Sequence, residues 1–229
     1  MSNTPVITEQ FDAEGRVTQR ASMVDGVLDG EFLSFGPDGE TRTQARYVAG
    51  QLDGVMVSRD EAGRTLQEAS YVAGRQHGPT RIFANGRLLM EQTYREGLLH
   101  GPCTMYAEAG DISLKQLYMA GQLEGEALFY AEGRLVRKVA YRAGQQNGEA
   151  VDYSREGKPV QKALYKDNLL DGTLTRYWPD GKILETQDYR AGKPATPLRR
   201  FDQNGNEVQD SNGKPGIMQR LEQLSLIHI

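Results

Sequence analysis

The 229-residue sequence predicts an all-β protein: an elongated antiparallel β-hairpin sheet or solenoid, built by tandem repetition and ended by a short C-terminal capping helix. Three columns of residues carry this prediction. One glycine column runs Gly15, Gly39, Gly63, Gly86, Gly110, Gly133, Gly157, Gly181 and Gly205, at intervals of 23 or 24 residues. A second runs Gly26, Gly50, Gly74, Gly97, Gly121, Gly144, Asn168 and Gly192. Three residues before the second column stand Tyr47, Tyr71, Tyr94, Tyr118, Tyr141, Tyr165 and Tyr189, with Met23 in the first copy.

Taken in chain order, residues 1–10 are expected to cap the first hairpin, residues 11–208 to hold about eight repeats, and residues 209–229 to form a C-terminal cap and tail. The glycines mark turns, because tight turns demand positive φ, which glycine adopts without steric cost; Asn168 is one of the few other residues that tolerates it. A third glycine follows each second-column turn, from Gly30 through Gly172. Segments between turns read as strands: in Arg134 to Tyr141, Leu135, Val139 and Tyr141 recur with the two-residue alternation of one sheet face. About 16 strands at roughly 4.8 Å spacing extend on the order of 75 Å. The tyrosines and Leu28, Leu52, Leu99, Leu123 and Leu170 are expected to cover one another along a single spine. Beyond Gly205, Ile217, Met218, Leu221 and Leu224 fall at helical spacing, and a helix there would cover the last strand edge.

Composition narrows the function. A net charge of −4 argues against direct nucleic-acid binding and against attraction to an anionic membrane, both of which need a basic surface. No run of about 18 apolar residues is present to span a membrane as a helix, and Met1 to Gln10 lacks the pattern of a secretory signal, so a cytoplasmic location is expected; a periplasmic protein with its signal removed would read the same way. The single Cys103 allows no internal disulfide and offers no zinc ligand set, and no metal or cofactor is expected.

The unit Tyr118-Met-Ala-Gly121-Gln-Leu-Glu-Gly125, followed by Tyr130 and Gly133, resembles the MORN repeat, in particular its bacterial variant with G-x-L-x-G turns. The resemblance covers about residues 11 to 208. Bacterial proteins made almost wholly of this variant look like antitoxins or immunity proteins of polymorphic toxin and type VI secretion systems. The resemblance therefore implies an immunity protein that binds a cognate secreted toxin and occludes its active site, the toxin being expected to be a nuclease such as a DNase with a basic groove. The alternative is a MORN-type scaffold or membrane-organising module.

No residue constellation points to catalysis. Phosphate-binding glycine loops and nucleophile elbows are missing, and the acidic residues follow the repeat rather than forming an isolated pair, so a small-molecule site is not expected. His77 and His100 hold equivalent places in successive copies, where other copies carry Asp29, Asp53, Glu124, Asn147 and Asp171, the polar residues of a solvent-facing turn. Asp29, Asp53, Glu124 and Asp171 share one phase and are expected to line an edge able to steer a basic toxin surface. Trp178 occupies a turn position that is Gly36, Asp60 or Ser154 elsewhere. With Tyr177 it is the expected interface anchor, the competing reading being that it packs over the C-terminal cap.

Overall fold

The computed structural model describes residues 4–208. Among these are 22 strand segments, all antiparallel, each paired only with its neighbours along the chain, and no helix. Four strands are interrupted: Gln51–Leu52 continues into Gly54–Arg59, Gln122–Leu123 into Gly125–Ala131, Leu169–Leu170 into Gly172–Tyr177, and Lys193–Pro194 into Arg199–Phe201, so the 22 segments fill 18 sheet positions. Eight hairpins supply 16 of these positions, as the repeat implies, and one strand is added at each end. Val6–Phe11 does not lie over the first hairpin; it pairs edge-on with Val17–Val24 and is exposed along its whole length. The helix expected over Ile217, Met218, Leu221 and Leu224 lies outside the described residues.

The two glycine columns make different turns on opposite edges of the sheet. Second-column turns are two-residue loops with both residues at positive φ, from Asp25 (51°) and Gly26 (79°) to Ala191 (48°) and Gly192 (79°). This is the mirror-image turn whose twist matches that of the flanking strands. Asn168 sits at 68°, in place of a glycine. Most first-column turns are three-residue loops closed by a left-handed glycine: in the loop over Glu61, Ala62 and Gly63, the Asp60 amide donates to Arg64 O at 2.9 Å and the Gly63 amide to Asp60 O at 3.0 Å. At Asn85-Gly86 and Glu132-Gly133 the loop has only two residues. These are the turns at which the repeat shortens from 24 residues to 23.

Strand alternation gives the sheet two unlike faces. One carries the tyrosines, each paired across strands with a third-column glycine such as Gly30 for Tyr47 or Gly172 for Tyr189; at these positive-φ glycines an added Cβ would point to the other face, toward Ser22 and Leu164 respectively. On the other side Tyr47, Tyr94, Tyr118 and Tyr165 face Leu52, Leu99, Leu123 and Leu170, which forms the expected spine. Each leucine also accepts the next turn through its carbonyl: Gly50 N donates to Leu28 O at 2.7 Å, and Gly192 N to Leu170 O at 2.8 Å.

A second file on the tyrosine face is the core. Cross-strand pairing runs Ala45, Met56, Ala69, Thr80, Gln92, Cys103 and on through Ala127, Val139, Ala150 and Ala163; most of these are buried although the described residues form no second layer. Small side chains suit a single-layer sheet, because longer neighbours in the flanking files can close over them. Cys103 belongs to this file, and burial pushes its thiol pKa up, which suppresses the reactive thiolate. Thr80 is fully buried with its hydroxyl unpaired. Because an orphan hydroxyl costs about 1 kcal/mol or more, Thr80→Val should raise stability by about that amount, seen as a higher urea midpoint.

Candidate protein-binding surface

The residues expected to line an acidic edge are engaged with the fold. Asp29 Oδ2 accepts from Ala49 N at 3.1 Å, Asp53 Oδ2 from Ala73 N at 3.2 Å, Glu124 Oε2 from Ala143 N at 3.0 Å and Asp171 Oδ1 from Ala191 N at 3.3 Å. In each case the donor is the left-handed alanine of the next repeat's turn. The column therefore caps turns across the repeat boundary and holds alanine in a conformation it disfavours. Asp53→Ala should cost about 1 kcal/mol in urea denaturation, with faster hydrogen exchange at Ala73.

The two histidines follow the same logic. His100 Nδ1 accepts from Ala120 N at 3.3 Å, whereas His77 Nδ1 lies 3.5 Å from the Glu96 carboxylate. Among the described residues no three potential metal-ligating side chains cluster.

On the opposite edge Asp12, Asp38, Asp60 and Asp202 hold the first-column loops. Backbone amide bonds, from Arg16, Glu40, Arg64 and Asn206 respectively, are the main cause holding their carboxyls below the ordinary range. A depressed folded pKa gives stability that is present above the unfolded value near 3.8 and is lost as pH falls through the folded one. Asp152 works against this, since burial raises its pKa and protonation relieves that penalty. Urea midpoints should thus drop below about pH 4, and Asp60→Asn should flatten part of that drop.

Trp178 is half-buried rather than exposed. Its backbone begins the loop through Gly181, and its indole N–H donates to Phe201 O at 3.2 Å in the strand Arg199–Phe201. Tyr177, also half-buried, stands opposite Ile183. The tryptophan thus ties the last hairpin to its neighbour, the expected C-terminal cap lies outside the described residues, and neither aromatic stands clear of the sheet.

The structure adds a group that the sequence reading missed. In the file beside the core, six adjacent strands bring Arg137, Asp152, Gln161, Arg176, Glu185 and Arg200 side by side. Arg137 lies 3.4 Å from Asp152; Gln161 donates to Asp152 at 3.3 Å; Arg176 donates to Gln161 at 2.9 Å and to Glu185 at 2.7 Å; Arg200 lies 3.6 Å from Glu185. The same file is apolar earlier in the chain, at Ile82, Met90, Met105, Leu114 and Phe129. The ladder is closed on itself: Glu185, with an 8% exposed side chain, is shared by two arginines.

What remains uncommitted lies on the opposite face, along the edge of the two-residue turns. Val48, Val55, Val72, Leu98, Leu117 and Met119 are each between 42% and 56% exposed there. The column of Val48 and Val72 runs on through Arg95 and Met119 and then, in the next three repeats, as Arg142, Lys166 and Arg190; all four cations are exposed and without an ion pair among the described residues. An open groove on this edge is lined by Arg142, Leu164, Lys166 and Asp167. The signal was present in sequence as the residue following each tyrosine, which is mostly apolar up to Met119, with Arg95 among the apolar members, and basic from Arg142 on.

The fold and its uncommitted surface define a β-hairpin repeat protein whose polar clusters serve its own architecture. Residues 146–167 and 170–191 match the family model of the MORN repeat variant. These are two successive copies of the unit, containing Tyr165 and Tyr189, and the same columns run through the other repeats. No curated protein matches the chain. Among solved structures, a crystal structure of TcdB2-TccC3 overlaps 88% of this chain at 13% identity with a TM-score of 0.18, and one of TcdB2-TccC3-TEV overlaps 90% at 13% identity with a TM-score of 0.17. This chain spans 15% of the length of each.

Proposed function

We propose that the protein is an immunity protein that binds a cognate secreted bacterial toxin and blocks its active site by covering it. The observation that carries the reading is the long uncommitted strip of exposed apolar side chains continuing into unpaired cations, which is the chemistry of a protein-binding surface. The match of two repeats to the MORN repeat variant is in keeping with it, since such repeats serve as binding scaffolds. Binding rather than catalysis fits the clustered ionisable groups, which are paired with one another in the Arg137 to Arg200 ladder. The test is retrieval of partners by the tagged full-length chain from native lysate, joined to a growth assay. A retained toxin whose lethality is suppressed by co-expression is the expected result. Partners whose toxicity is unaffected, or retention of lipid alone, would overturn the reading, the latter in favour of a membrane-organising module.

A further inference from the structure

We infer that the turn edge of the opposite face is the docking surface, and that it takes an acidic, amphipathic segment of a partner protein lying across the strands. This rests on the binding function proposed above and specifies its partner. The chemistry differs from the basic partner expected from the acidic column, because Asp29, Asp53, Glu124 and Asp171 already serve the turns of the next repeat.

Charge complementarity selects the occupant. Arg142, Lys166 and Arg190 fall in one column, one per repeat, and the acids around them are already engaged: Glu126 with Lys138, Glu149 with Lys162, Asp188 with the Thr173 hydroxyl and Asp167 with Asn147. Arg142, Lys166 and Arg190 are thus three consecutive cations left without partners, with Arg95 a fourth further along the same column, on a chain that is acidic overall. Consecutive repeats are two strands apart, so the cations recur about every 10 Å. Carboxylates at every seventh position of an α-helix recur at about the same distance and on one face. Toward the N-terminus the same column offers Val48, Val72 and Met119 with the single cation Arg95 among them, so the segment that fits is mainly apolar at one end and acidic at the other.

The probe is a fluorescently labelled helical peptide with leucines along one face of its first half and glutamates at every seventh position of its second, titrated into the full-length chain. Binding should weaken at least tenfold in the triple variant Arg142→Glu, Lys166→Glu, Arg190→Glu, and the loss should shrink at high salt, where screening removes the ionic part. Val72→Ser with Met119→Ser should weaken binding without changing its salt dependence. All five positions are exposed, and circular dichroism and the urea midpoint confirm that each variant is folded. Equal binding by the triple variant, no binding of the acidic peptide, or preference for a lysine-substituted peptide, for anionic vesicles or for duplex DNA would each overturn the inference. The growth assay separates this from the immunity reading. A triple variant that still protects cells from the toxin sinks the docking surface alone, whereas wild-type protein that binds the peptide yet protects against no captured toxin sinks the immunity reading alone.

Discussion

Replacing Val139 with aspartate is expected to lower the unfolding free energy by about 4 kcal/mol. Val139 is 1% exposed, in the core file between Ala127 and Ala150. Neither neighbour offers the introduced carboxyl a hydrogen bond, and removing the valine also leaves a void. The charge resists ionisation, so its folded pKa is raised. The penalty is then absent below the unfolded pKa, grows as pH rises toward the folded value, and is complete above it. Val139→Ala, which leaves only the void, should cost about 2 kcal/mol at every pH. Equal urea midpoints for the two variants at pH 7 would show that the site is wetter than its burial implies.

The position of the loss matters as much as its size. In a sheet whose strands pair only with chain neighbours, stability is close to a sum of repeat and interface contributions. Hydrogen exchange in Val139→Asp should therefore accelerate first in Gly125–Ala131, Arg134–Arg142 and Gln145–Tyr153, while Thr41–Val48 keeps its protection. The Arg137 to Arg200 ladder begins on the affected strand, so its first rung should loosen with it.

Turns were legible in the sequence because their cause is local: a loop that needs positive φ selects glycine, and Asn168 shows the same demand met by the next-best residue. The tyrosine and leucine spine was legible for a related reason, since its phase is fixed by the adjacent turn. The alanines at Ala49, Ala73, Ala120, Ala143 and Ala191 were not, although each has φ between 47° and 50°. Nothing about alanine announces a left-handed conformation, and what holds it there is a side chain from the preceding repeat. The same distance in sequence hid the role of the acidic column and of Trp178, whose partners stand 19 to 23 residues away. The Arg137 to Arg200 ladder was hidden by register. Its members become neighbours only once the irregularities between Asp152 and Tyr153 and between Arg176 and Tyr177 fix which residues face one another.

Gly172 provides the second large effect: Gly172→Ala should cost about 3 kcal/mol, against about 1 kcal/mol for Gly181→Ala. Both glycines have positive φ, 130° and 89°, so both substitutions carry backbone strain. They differ in what a methyl group would meet. At Gly181 nothing lies within 4 Å, whereas at Gly172 the new Cβ would stand 2.9 Å from Leu164 Cβ, an atom fixed to the backbone of the neighbouring strand. Relief requires one strand to move, and Gly172 is also the residue opposite Tyr189, so the movement disturbs the spine on the other face. The difference between the two urea midpoints isolates the contact from the strain. Equal losses would mean that Gly172 is kept for its dihedral alone, while a larger loss at Gly172 would mean that it is kept because the neighbouring strand approaches too closely for a side chain, unlike Gly54, where an added Cβ would stand 3.7 Å from its nearest neighbour.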